Sequence, residues 1–415
     1  MVYNQCLKTF IVNRIFYAFA LLVGLVSCNS TPPESDINLS EAPWDTITQK
    51  ASGTTVNFMM WQGNPSLNDY INNYVIPRVK ELHNIDLEIT GGQGPEVVQL
   101  VMGEKQAGVE KGQVDIVWIN GETFFQLRKI DGLWGPFVKK LPSSKYINFD
   151  NPFISIDFQQ PVNYMEAPWG MGQYALVYDS AQVSNPPRNL NQLEAYLKEN
   201  PGTFTISNDF SGMTLLKSFL AEIGGSPTSL DGEFDEEKYN RLSEQLWDYI
   251  NRNKKYFWKG GSTFPKEHTK VDQMFATGEL HLVYGFSEGG IEDKIRDGLF
   301  PKTTRAYAWD NGTILNSNYL GIPYNSSNKA GAMTVINFLL SPEAQYYKQT
   351  RNGREARTVL DLNLLPEEWR AKFENAPKPQ YSPNLEKLAK KAIKEPAPEY
   401  MIRLYDDFRT EVIEK

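Results

Sequence analysis

Val114-Asp115-Ile116-Val117-Trp118-Ile119-Asn120-Gly121-Glu122 is a strand that stops at a polar loop. The branched and aromatic residues from Val114 to Ile119 suit a buried, pleated run. Asn120-Gly121-Glu122-Thr123 then supplies the turn and cap that open a helix. Two upstream segments share this layout. Thr54 to Trp61 is β-rich and passes through Gln62-Gly63-Asn64-Pro65 into a helical pattern from Ser66, where Leu67, Tyr70, Ile71, Tyr74 and Val75 fall on one face. Leu87-Glu88-Ile89 leads through Gly91-Gly92-Gln93-Gly94-Pro95 into a helix from Glu96. Strand, loop and helix repeated in this way predict a parallel sheet with crossover helices. Such sheets bind ligands outside the carboxyl ends of their strands, so the three loops are expected on one edge.

A second α/β block is expected downstream. Residues 174–178 and 203–207 read as strands, with a helix over 191–198 between them. Asn208-Asp209-Phe210-Ser211-Gly212 looks like a helix N-terminus, whose free N–H groups can hold an anionic or polar atom. His281 to Tyr284 reads as a strand running into Gly285-Phe286-Ser287-Glu288-Gly289-Gly290. One extended segment is expected over 313–323, and Asn325-Ser326-Ser327 caps a helix over 329–348. The C-terminal third reads as helical and polar, interrupted by Pro342, Pro366, Pro377 and Pro379. Within it, 387–394 (KLAKKAIK) reads as a solvated basic helix face or, alternatively, a contact for a membrane permease.

Composition narrows the function. A chain of 415 residues suggests two domains or one two-lobed unit. Asp and Glu total 50 against 42 Lys and Arg, an acidic balance that argues against a nucleic-acid partner. Two Cys cannot build a disulfide framework, and His83, His268 and His281 are too scattered for a metal centre, so no metal or other cofactor is expected. Gly285-Phe286-Ser287-Glu288-Gly289 fits the nucleophile elbow of a hydrolase, but that fold places its His after the Ser and none follows His281.

The N-terminus reads as an address. Lys8 and Arg14 precede an apolar run from Ile15 to Val26, shorter than the roughly 20 residues that span a bilayer. Residues 1–28 therefore read as a secretory signal, and Leu25-Val26-Ser27-Cys28 resembles the bacterial lipobox, in which the Cys is lipidated and becomes the mature N-terminus. An ordinary signal peptide with a chance Cys is the alternative. Residues 29–51, with Pro32, Pro33 and Pro43, read as a flexible linker. The expected location is outside the cytoplasm, lipid-anchored, with the body in the periplasm or at the cell surface.

These strings resemble a known family. The 114–122 stretch is similar to the VDLIWINGE signature of the YnjB-like solute-binding proteins of bacterial ABC importers. So are Glu166-Ala167-Pro168-Trp169-Gly170-Met171, Asn200-Pro201-Gly202-Thr203-Phe204, Gly312-Thr313-Ile314, Ile322-Pro323-Tyr324-Asn325 and Asn337-Phe338-Leu339-Leu340-Ser341-Pro342-Glu343-Ala344-Gln345. The resemblance runs from about residue 55 to 362, in the family's order. It implies the type II periplasmic binding protein fold: two α/β lobes joined by crossing hinge strands, with a ligand cleft between them. On that fold 52–172 is the first part of lobe I, 173–305 lobe II, 306–350 the return through the hinge to lobe I, and 351–415 a C-terminal helical segment packed on the lobes. The chain departs from the family's pattern at Trp61-Gln62-Gly63-Asn64-Pro65, Phe286-Ser287-Glu288 and Ile314-Leu315-Asn316-Ser317-Asn318-Tyr319. All three lie on expected cleft edges, which puts the identity of the solute in doubt.

The expected function is capture of a small polar solute, neutral or cationic and thiamine-like by family analogy, through lobe closure, with no chemistry performed on it. Expected partners are the solute, the permease subunits with their cytoplasmic ATPase, and the bilayer through a lipid on Cys28; the expected state is a monomer. A ligand-sensing or interaction lipoprotein of the same fold is the alternative, and a tethered hydrolase a more distant one. Trp61, Trp118 and Trp169 stand at strand ends as stacking platforms, with core packing the competing role. Trp61 and Trp169, with Gly and Pro close by, suit exposed rims. Asn64, Asn120, Glu122, Asp209, Ser211 and Gly212 sit at helix starts, where capping competes with ligand contact. Glu166 contacts ligand or hydrogen-bonds across the hinge, and Ser287, Glu288, Asn316 and Asn318 complete the candidate set. The cleft is thus expected to be acidic and aromatic, without Lys or Arg in its loops.

Overall fold

The computed structural model describes residues 38–286, 290–352, 357–377, 381 and 388–415. The leader, Cys28, Ser287 and Glu288 lie outside the described residues. Residues 43–415 form one body, described below. The expected linker extends too far: Trp44–Ala51 is a helix that packs on the helix Lys329–Leu339 and buries Ile47 and Ala51 completely. Apolar residues four apart on one face gave that turn a partner the composition of 29–51 had hidden.

Strands β1 (Thr55–Met60), β2 (Asp86–Gly91) and β3 (Ile116–Ile119) run parallel, with β1 in the middle. Their carboxyl ends deliver Trp61, Gly92 and Asn120 to one edge, as the strand–loop–helix pattern requires. The helix after β1 starts at Pro65, opens into a π turn over Ile71–Val75 and continues as Ile76–His83. Pro77 has no N–H for the carbonyl of residue 73, and the wider turn absorbs the loss. Val97, Val101, Val117, Ile119, Phe124, Leu127 and Tyr319 form the core of this lobe.

Beyond β3 the sheet changes direction. Its neighbour is β9 (Thr313–Gly321), antiparallel, and beyond β9 lies β6 (Glu166–Asp179), again antiparallel. The first half of β6 pairs with β9, from Glu166 opposite Gly321 to Gln173 opposite Leu315, while its second half pairs with β7 (Leu282–Phe286) and β8 (Thr304–Tyr307). β6 and β9 are therefore the crossing strands between two lobes. Pairing shifts between Pro168 and Gly170, leaving Trp169 in a bulge.

The second lobe alternates as a sheet buried on both faces must. Tyr174, Leu176, Leu282 and Tyr284 enter one cluster with the helices Leu190–Glu199, Phe210–Ile223 and Glu236–Asn253. Val177 and Val283 face the other way, into a cluster with Val271, Met274, Phe275 and Ile291. Residues 203–207, expected as a strand, are buried from Phe204 on but pair with no strand among the described residues. Their backbone is satisfied piecemeal: His281 N donates to Thr203 O, Trp258 N to Phe204 O, and Ser207 N donates to the Tyr284 hydroxyl.

The C-terminal region departs most from expectation. The helix over 329–348 is broken into Lys329–Leu339 and Pro342–Tyr347, because Ser341 caps the second at Ala344 N and Pro342 takes its first position. Far from being polar, the helix Pro398–Asp407 and its extension bury Tyr400, Met401, Leu404, Phe408 and Val412 completely in the second lobe's core. Of the basic 387–394 stretch, Leu388 and Ala389 are helical, but the helix ends there and β10 (Ala392–Ile393) pairs in parallel with Thr313 and Ile314 of β9.

Candidate functional site

The strand edge of the first lobe presents a ladder of rings. Trp61 is 37% exposed at the rim, and its ring lies 6.1 Å from that of Trp118, which meets Trp169 edge-on at 5.4 Å. Trp169 was expected on an exposed rim and is 2% exposed instead, because it belongs to the interior of β6 rather than to a loop. Its bulged carbonyl accepts from Gln345 Nε2 at 3.1 Å and from Lys348 Nζ. Lys348 has no acidic partner among the described residues. Burial alone pushes its ammonium down to about 7.

Several candidate residues do structural work. Asn64 Oδ1 accepts Leu67 N at 3.1 Å, an N-cap, and its buried Nδ2 has no partner among the described residues. Asn120 occupies the N-cap position of the helix Gly121–Lys129 without a capping bond to the backbone. Asp209 is fully engaged: Oδ1 accepts Gly212 N at 3.0 Å and the Ser207 hydroxyl at 2.7 Å, while Oδ2 accepts His268 N at the start of the next helix. Ser211 O takes the Tyr174 hydroxyl at 2.7 Å. Gly212 is required sterically, since a Cβ there would lie 1.7 Å from Ser207 O.

Glu122 faces a lysine that no loop contains, while Glu166 faces Asp157 and Arg128. Lys217, in the middle of the helix Phe210–Ile223, is wholly buried and donates to Glu395 Oε2. Glu395 Oε1 accepts Asn316 Nδ2 at 3.0 Å, and Gln159 Nε2 donates to its backbone carbonyl. Asn318 is half-buried on the same crossing strand. The Lys217 ammonium lies 4.6 Å from the Phe158 ring centroid and 5.4 Å from that of Phe210. Phe158 in turn packs against Gly121, where a Cβ would meet its ring at 2.2 Å. The helix Pro398–Asp407 touches both Gly121–Lys129 of the first lobe and Phe210–Ile223 of the second. The group thus sits at the junction of lobes, hinge and C-terminal segment.

Electrostatics follow from that burial. Desolvation pushes the half-buried Glu122 carboxyl up to about 7, against the pull of Lys217 and with help from Glu395. Asp157, Glu166 and Glu395 are all raised, first by burial. Lys217 is lowered by burial, against the attraction of Glu395, Glu122 and Asp157. Reading the loops for charge missed Asp157, Phe158, Lys217 and Glu395. One signal was present: Lys217 interrupts the apolar run Met213-Thr214-Leu215-Leu216-Lys217-Ser218-Phe219-Leu220, and a charge in such a helix needs a partner.

Comparison with known proteins agrees with this architecture. Residues 75–371 match the family described as bacterial extracellular solute-binding protein. The chain is 30% identical over 350 residues to Protein YnjB of Escherichia coli (strain K12), covering 83% of this chain and 88% of that one. The fold is similar to that of a putative spermidine/putrescine ABC transporter protein from Listeria monocytogenes, with a TM-score of 0.60 at 16% identity over 86% of this chain and 98% of the other. It is also similar to the Tp0655 lipoprotein of Treponema pallidum, with a TM-score of 0.64 at 14% identity over 87% of this chain and 100% of that one. The two lobes, the crossing strands and these likenesses lead to one conclusion: the chain has the type II periplasmic binding protein fold and belongs to the family of bacterial extracellular solute-binding proteins.

Proposed function

We propose that this protein is the capture component of an ABC importer, closing its lobes on a small polar solute, neutral or cationic, and handing it to a membrane permease. The observation that carries this reading is the pair of continuous strands, β6 and β9, that belong to both lobes. Two cores joined by extended strands bend at the strands more readily than within either core. A solute touching both lobes then favours the closed state by its differential contacts. Trp61 and Trp118 supply a stacking surface at the rim, and Glu122 supplies a carboxyl poised near neutrality. Thiamine-like cations suit both features. Residues 44–172 with 306–350 make lobe I, 173–305 with the C-terminal helix over 398–407 make lobe II, and the mature protein works as a monomer tethered by a lipid on Cys28.

Native mass spectrometry of the protein extracted from its host's membranes tests the reading. A retained small molecule, released on denaturation, whose return shrinks the radius of gyration in small-angle X-ray scattering is the expected result. A protein that keeps one radius with every solute, including its co-purified one, refutes capture by closure. The intact mass also reports the lipid, and Cys28→Ser is expected to move the protein to the soluble exported fraction.

A further inference from the structure

Just before the chain enters the crossing strand β6 it makes a short hairpin. β4 (Ile156–Asp157) pairs antiparallel with β5 (Gln160–Pro161), and Phe158 and Gln159 form the turn between them. The stem belongs to the first lobe and the hinge. Val162 is buried in the first lobe's core, Tyr164 O accepts Phe137 N and Val138 N, and the Tyr319 hydroxyl of β9 donates to Ile154 O at 3.0 Å. The tip belongs to the second lobe. Phe158 is 1% exposed within that lobe's apolar cluster, and the Lys217 ammonium of the helix Phe210–Ile223 lies 4.6 Å from its ring centroid. Gln159 Oε1 accepts Gly232 N, from the loop after that helix, at 3.1 Å, and its Nε2 donates to Glu395 O at 2.5 Å. One hairpin therefore has an end in each core.

The turn is strained. φ is 44° at Phe158 and 63° at Gln159. A two-residue hairpin turn with φ positive at both central positions suits Asn-Gly, and side chains larger than these adopt it at a cost. Such strain persists only where the surroundings over-determine the conformation. Here the surroundings are the docking contacts themselves. The Phe158 ring sits so close to the start of the helix Gly121–Lys129 that a Cβ on Gly121 would meet it at 2.2 Å. A pocket of only about 10 Å³, lined by Asp157, Phe158, Gln159 and Glu395 among others, remains beside the turn, room for one water.

We propose that the β4–β5 hairpin is a latch between the lobes, whose tip residues Phe158 and Gln159 dock into the second lobe when the lobes close and leave it when they part. The inference rests on solute capture by lobe closure and adds a contact that the solute does not make. Opening carries the stem away with the first lobe, so the Phe158 ring and the Gln159 amide must withdraw from the second. The strain of the docked turn offsets part of what docking gains, which keeps the latch reversible. Closure of the empty protein is thereby partly prepaid, and solute affinity scales with the fraction already closed.

Gln159→Gly, and the double substitution Phe158→Asn with Gln159→Gly, test the latch, because both give the turn residues it prefers while removing tip contacts. The full-length protein freed of solute is measured by small-angle X-ray scattering and by hydrogen exchange of the 226–235 loop. Both variants are expected to show a larger radius of gyration than the native empty protein and faster exchange at Gly232, the double variant more so. The solute extract recovered from denatured native protein is expected to bring all three to one radius, with the double variant needing about tenfold more of it. The Tm of Gln159→Gly is expected to stay within about 2 °C, since relief of the turn offsets the lost bonds. Variants that keep the native empty radius and the native exchange overturn the latch, while a native protein that still closes on the extract leaves capture standing. A Gln159→Gly variant that loses about 5 °C or more shows the tip holding the second lobe together instead of joining the lobes, and overturns the latch as well. A native protein that keeps one radius with and without the extract refutes capture by closure, and the latch falls with it.

Discussion

Lys217 and Glu395 allow a prediction with opposite signs for its two halves. Glu395→Gln leaves the fully buried Lys217 ammonium without its hydrogen-bonded counter-charge. Breaking a buried pair from one side costs about 3–5 kcal/mol. The chain can limit that cost by shedding the proton from Lys217. From an unfolded pKa near 10.4, deprotonation at pH 7.5 costs about 4 kcal/mol. Glu122 and Asp157 also act on Lys217, and partial compensation brings the expected loss to about 2–4 kcal/mol. In this variant the folded state binds fewer protons than the unfolded one, so stability rises with pH, and most of the loss is recovered by about pH 9–10.

Lys217→Met reverses the signs. Glu395, with its pKa raised by burial and no longer offset by the ammonium, keeps its proton to higher pH in the folded state than in the unfolded one. Stability then falls as pH rises above about 4.3, by at most about 4 kcal/mol at pH 7.5. Unfolding entropy of about 2.1 cal/mol/K per residue over a chain of this length makes that about 5 °C in Tm. Thermal and urea unfolding of both variants between pH 5 and pH 9.5 is the assay. Parallel pH slopes for the two, or a loss below about 1 kcal/mol in each at pH 7.5, would refute the reasoning.

Other substitutions probe separate features. Lys348→Met is expected to stabilise the protein by about 1–4 kcal/mol at pH 7. An ammonium lowered to about 7 makes native stability rise with pH between about 7 and 10, and the Met variant should lack that rise in urea unfolding. Gly212→Ala drives a Cβ into Ser207 O and should cost about 3 kcal/mol or more, measurable as a reduced denaturant midpoint. Trp61→Ala and Glu122→Gln should each weaken binding of the co-purified solute about tenfold in calorimetry, with Tm held within a degree or two.

How far the chain could be read without coordinates depended on the range of the interaction. The edge formed by Trp61, Gly92 and Asn120 was legible, because strand periodicity and turn chemistry are set by residues a few positions apart. The helix caps at Asn64 and Asp209 were legible as one of two choices for the same reason. Residues 203–207 misled, since a run of β-formers says nothing about whether a neighbouring strand exists. Trp169 misled because a Gly and a Pro beside it describe a bulge within a strand as well as they describe a loop.

The sequence by itself determined the three strand–loop–helix units of the first lobe and their parallel pairing, and the family, through short strings kept in order along the chain. Only the tertiary structure decided that the segment between β10 and the helix over 398–407 would bring Glu395 to Lys217 across a separation of 178 residues, and that Asp157 would face the same pocket. No local pattern encodes such a meeting. A lysine and a carboxylate read as solvated surface until folding removes the water from both, and the low dielectric around them then decides their charge and their partners.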